Sequence, residues 1–158
     1  MSLAKLPKHA RVWIYQADKL LSAQDIAAVS EQMQSFVAQW EAHGQELSAA
    51  FEVRDQRWLI LGVDEKAQAA TGCSIDGSVR LIQKIGQELN VDFFNRTLVI
   101  WENNGQMVQD HMHDFWAKRK AGIVTDETIV FNTLAASMAE LNEKWKGSFS
   151  QSWHAEMW

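Results

Sequence analysis

Cysteine occurs once in this chain, at Cys73, so an intramolecular disulfide is impossible and no zinc site of the CxxC kind can form. Such usage suits a reducing compartment. Proline also occurs once, at Pro7, and marks the start of the domain; no linker, low-complexity tract or internal repeat follows it. No run of about 18 apolar residues is present to span a membrane, and the opening MSLAKLPKHARVW lacks the apolar stretch of a signal peptide. Basic residues are in deficit: 15 Lys and Arg against 20 Asp and Glu give a net charge of -5, which argues against a nucleic-acid partner whose phosphates need neutralising. The expectation is a single domain over residues 1–158, cytoplasmic, with no membrane or nucleic-acid contact.

Tryptophan, by contrast, is abundant. Eight indoles in 158 residues supply core area, interface anchors or stacking platforms. With 47% hydrophobic residues the chain is long enough to bury a core around some of them.

The periodicity then orders the elements. Val12–Gln16 (VWIYQ) reads as a strand, rich in β-branched and aromatic residues. Ile26, Val29, Met33, Phe36, Val37 and Trp40 recur at helical spacing behind a Ser22 cap, with Asp25 in the first turn and Gly44 as the stop. From Leu47 the period becomes two through Ala49, Phe51 and Val53, and a turn at Asp55-Gln56 leads into WLILGVD (Trp58–Asp64), a run apolar enough for a central strand. A second helix carries Ile75, Val79, Ile82, Ile85 and Leu89 and ends at Asn90; Thr97–Trp101 follows as a strand. The order βαββαβ predicts an α+β fold with a ferredoxin-like core: an antiparallel sheet, first and third strands central, helices on one face. A C-terminal extension should add a helix through Val108, His111, Phe115 and Trp116, a strand at Thr128–Phe131 and a helix through Leu134, Met138, Leu141 and Trp145. That extension, or a partner subunit, should cover the second sheet face.

Chemistry is sparse. Gly72 and Gly77 bracket four residues, so GCSIDGSV matches the first half of a phosphate-binding P-loop, but Ser78 and Val79 stand where lysine and a hydroxyl are needed. Gly72, Ser74 and Asp76 remain candidate ligand-binding residues at a helix opening, with Asp76 or Ser74 also able to cap it. Cys73 shares that position, where the helix dipole favours thiolate; His154, His111 or His113 could act as its base, and Cys73 with His154 is the candidate catalytic pair. His111 and His113 lie two apart, so they do not form the i, i+4 pair that metals favour on a helix, and no metal or other cofactor is expected. The basic run Lys118-Arg119-Lys120 complements a helix C-terminus.

Four blocks, HARVWIYQADKLL, WEAHGQ, GCSID and SWHA, together resemble a family of uncharacterised bacterial proteins of the Bacteroidetes type whose members often carry the label "ABC transporter ATPase". Such an ATPase requires a complete P-loop and an LSGGQ-type signature. The nearest stretch, LSAQD at Leu21–Asp25, lacks both glycines and reads as a helix cap, so ATP hydrolysis of that kind is not expected. The favoured function is a non-catalytic module that binds a small molecule or a protein partner, with homo-oligomerisation compatible with the tryptophan load. The alternative is a thiol-dependent enzyme or redox sensor centred on Cys73.

Overall fold

The computed structural model describes residues 2–157, which divide into two units. One runs up to Asn95 and includes Ala135–Ala139; the other comprises Arg96–Leu134 and the residues from Glu140 onward. Helices and antiparallel sheets are both present, so the fold is α+β.

In the first unit β1 (Arg11–Gln16) leads to α1 (Ala23–Gln39), then a small hairpin of β2 (Glu41–Ala42) and β3 (Gln45–Glu46), β4 (Ser48–Arg54), β5 (Trp58–Asp64) and α2 (Gly72–Leu89). The Ser22 cap is formed as expected: its hydroxyl accepts from Asp25 N–H at 3.0 Å while Asp25 accepts from Ser22 N–H at 3.1 Å. Gly44 does not end this helix. It lies beyond it with φ +76°, beside His43 at +53°, as the two-residue turn of the β2–β3 hairpin requires.

The sheet order is β1-β5-β4, all antiparallel. Register pairs Trp13 with Leu61, Tyr15 with Leu59 and Phe51 with Leu61, so these side chains share one face. Val29 and Met33 of α1 and Ile82 and Ile85 of α2 pack in the same cluster, which places both helices there. The opposite face carries Trp58, Ile60 and Gly62. A Cβ on Gly62 would lie 2.7 Å from Leu6 and 2.8 Å from Leu3, so the N-terminal segment sits directly on that glycine. The N-terminal segment thus covers part of a face that the sequence assigns to the C-terminal extension or a partner subunit.

Two corrections concern the expected core. The strand at Thr97–Trp101, observed as β6 (Leu98–Asn103), does not join this sheet. Its place beside β1 goes to Ala135–Ala139, where Val12 N–H donates to Ala136 O at 3.0 Å and Met138 N–H to Ala10 O at 2.9 Å. The physical reason is the turn Asn104-Gly105, with φ +51° and +80°, which folds β6 back onto β7 (Gln106–His111) as a local hairpin. Val108 and His111 consequently lie in a strand, not in the expected third helix. That helix, α3 (Met112–Lys120), starts after them.

The second unit continues with β8 (Ile129–Phe131), α4 (Met138–Lys144), whose first two residues count with the first unit, and β9 (Lys146–Ser148). Its sheet runs β7-β6-β8-β9. Val99, Trp101, Phe115, Trp116, Val124, Val130 and Phe149 form its core. Among the described residues no helix is long and apolar enough to cross a membrane.

The end of α2 yields a paired prediction. Asn90, at φ +55°, turns the chain back so that Val91 N–H donates to Gly86 O at 2.8 Å, and a Cβ on Gly86 would collide with the Val91 carbonyl. Gly77, in the same helix, has nothing within 4 Å of its Cβ position. Gly86→Ala should destabilise by about 1–3 kcal/mol, whereas Gly77→Ala should stabilise by about 0.5–1 kcal/mol through helix propensity. Urea denaturation of the two variants reads both signs.

Candidate functional site

Gly72, Cys73, Ser74 and Asp76 share the first turns of α2. Gly72 to Ser78 are helical, so this stretch is no open cradle; Ile75 N–H already donates to Thr71 O at 2.9 Å. The cap is Thr71, not Asp76. Thr71 Oγ1 accepts from Ser74 N–H at 3.2 Å, and Ser74 Oγ accepts from Thr71 N–H at 2.7 Å. Ser74 is buried and its carbonyl accepts from Trp40 Nε1 at 2.8 Å, whereas Cys73 and Asp76 are exposed.

His154 belongs to the other unit. It lies in the 3-10 turn Trp153–Met157, 4% exposed, with Phe115 at 6.1 Å and the Trp153 ring stacked on it at 3.8 Å and 22°. Ser152 fixes its tautomer. The Ser152 hydroxyl donates to Phe149 O at 2.7 Å, so at the 3.1 Å contact with His154 Nδ1 it is the ring nitrogen that donates. Burial pushes the imidazole down to about 4, leaving it neutral at pH 7.

His111 and His113 are exposed, and among the described residues no group of three His, Cys, Asp or Glu is placed to hold a metal ion. Two residues of the basic run form ion pairs: Lys118 Nζ meets both Asp110 oxygens at 2.9 Å, and Arg119 reaches Asp126 at 2.6 Å while lying over the Phe149 ring at 4.7 Å. Asp110 also accepts from Trp101 Nε1 at 2.8 Å.

Two concavities differ in what their polar groups do. In the first unit a cleft of about 540 Å³ is lined by Asp18, Gln83, Gln87, Asn90, Asp92 and Phe94. Its carboxylates order the loop after α2, for Asp18 Oδ1 accepts from Asp92 N–H at 2.9 Å and Asp92 Oδ1 from Phe94 N–H at 2.8 Å. In the second unit a cleft of about 330 Å³ is lined by β9 together with Trp145, Trp153, Asn132, Gln151, Glu143 and Lys144. Gly147 occupies the middle of β9, and nothing stands within 4 Å of its Cβ position. A mid-strand glycine beside open space marks a close approach to the backbone.

Both indoles are braced from behind. Trp145 packs on Phe131 at 5.6 Å and Trp153 on His154 at 3.8 Å. Trp153 Nε1 is buried and meets no acceptor among the described residues, at a cost of about 1–3 kcal/mol. Folding alone therefore does not favour tryptophan there over phenylalanine. The sequence placed Trp145 inside the last helix, but α4 ends at Lys144 and the Trp145 carbonyl instead accepts from Asn132 N–H at 2.7 Å. The signal present in the sequence is the aromatic, weakly charged tail SFSQSWHAEMW.

Two outcomes follow. The folded state holds His154 neutral while the unfolded state takes up a proton near pH 6.5, so stability should be full above that value and fall toward pH 4. The loss reaches on the order of 3 kcal/mol, and His154→Phe should flatten the difference in urea midpoints measured across that window. Trp153→Phe should leave stability unchanged or raise it by about 1 kcal/mol, since the unpaired donor disappears and the ring stack stays; thermal unfolding reads this.

No family model, curated protein or solved structure matches this chain, so its functional reading rests on the geometry of these groups.

Proposed function

We propose that this protein is a non-catalytic module that binds a small molecule in the cleft along β9. The observation that carries this is one cleft lined both by Gly147, with open space at its Cβ position, and by Trp145 and Trp153, each packed on another ring. Flat apolar walls with a few polar groups on the rim are the ordinary make-up of a ligand site. The alternative centred on Cys73 has the exposure of that thiol at the start of α2 in its favour. The cleft brings together more groups and carries the stronger case.

The first unit is read by itself. We infer a ferredoxin-like core in which Ala135–Ala139 stands beside β1 in place of a fourth strand; the order β1-β5-β4 and the two helices on one face support it. Membership in the bacterial family labelled "ABC transporter ATPase" belongs to the same proposal, without the ATPase activity, because Gly72 to Ser78 are helical.

The test is a screen of small neutral rings, polyhydroxylated and heteroaromatic, followed through the indole N–H signals in 1H–15N spectra. At least one should shift the Trp145 and Trp153 signals, and Gly147→Val, which fills open space on a strand, should remove the shifts with stability kept. Absence of any shift across the screen would end the proposal.

A further inference from the structure

Resting on the cleft along β9 as a small-molecule site, we propose that its ligand is a neutral, planar nitrogen heterocycle of nucleobase or nucleoside size, stacked on the Trp153 face opposite His154. The internal stack is the precedent. One face of Trp153 already carries an imidazole, near-parallel at 22° and 3.8 Å between centroids. An indole has two equivalent faces, so a ring that suits one suits the other. His154 is a positioning residue here: buried, and tied through Nδ1 to Ser152 at 3.1 Å, it holds the platform still before any ligand arrives.

Charge sets the second property. Glu143 and Lys144 bring one charge of each sign to the lining, and Lys146 is paired with Glu102 at 2.6 Å. With Glu102 counted, these charges sum to zero, so a phosphate would meet no net positive field and the unphosphorylated form loses nothing by comparison. The carboxamides of Asn132 and Gln151 each present one acceptor and two donors, the complement a nitrogen heterocycle shows along its edge. A stacking contact of this kind is sequence-tolerant, because every base has a π-face.

The probes are adenosine, adenosine monophosphate and methyl glucoside, each titrated into the full chain with the indole N–H signals as readout. Adenosine should bind, and its monophosphate no tighter. Trp153→Leu should weaken adenosine at least about fivefold, the low end of base stacking on an aromatic side chain. Gly147→Val serves as the second variant, acting from open space, and should weaken it at least as much. Binding of methyl glucoside without adenosine would overturn the heterocycle and leave the cleft as a ligand site. A monophosphate that binds tighter than adenosine would overturn the neutral class, and adenosine binding untouched by both variants would place it elsewhere. Silence from all three probes, with other rings active in the wider screen, would defeat this inference alone; silence throughout would defeat the site as well.

Discussion

A strand that is apolar on both faces cannot rest at a surface, and β5 is such a strand. Its residues Trp58 to Val63 are all buried, so layers are required above and below it and partners on either edge. Antiparallel β1 and β4 supply the edges. Because register locks Leu59, Leu61 and Val63 to one side, α1 and α2 must both present their apolar residues there. The other side admits close approach only where a side chain is missing, and Gly62 is where Leu3 and Leu6 come down. Leu3 and Leu6 sit ahead of the first strand, yet their position is dictated by a glycine far along the chain.

The second unit depends on a different hub. Phe115 is fully buried, and its ring stands 6.1 Å from Trp101, 5.9 Å from Trp116, 6.0 Å from Phe149 and 6.1 Å from His154. Rings meeting edge-on or tilted gain from quadrupole contact as well as from buried area. Polar atoms at the border are tied off, as when Asp110 binds Trp101 and Lys118 together. The hydroxyl of Ser152 does the same for the tail. It donates to Phe149 O and accepts from the His154 backbone at 3.2 Å as well as from its ring, so one side chain sets the conformation of the turn that carries Trp153.

Local signals in the sequence were legible where they were self-sufficient. The Ser22–Asp25 box, the Asn90 stop and the double-faced apolar run of β5 each state their structure within a few residues. What failed was arbitration between local and distant pairing. Asn104-Gly105 is a strong hairpin signal, and pairing β6 with β7 closes a far shorter loop than a crossover to β1 would. The candidate site was legible only in fragments. His154 stood out as a residue type, but its burial under Trp153 and Phe115 depends on a turn built by Ser152. Gly147 carries no periodic signal, and Trp145 shifts from helix to cleft wall through one backbone hydrogen bond to Asn132.

Those same features separate scaffold from site in physical terms. The Asp110 and Ser152 networks in the second unit serve folding. Trp153 stands apart from them, with a buried donor that meets no acceptor among the described residues and a broad ring stacked on an imidazole that burial has made hard to protonate. The unpaired donor lowers stability at any pH, and the buried imidazole does so below about pH 6.5. Together they hold a flat, rigid face at the edge of a concavity over a bare glycine backbone. Marginal stability tolerates such losses where a surface has work besides folding. The tryptophan is therefore best understood from the side facing the cleft, and the histidine behind it as the support that keeps that side flat.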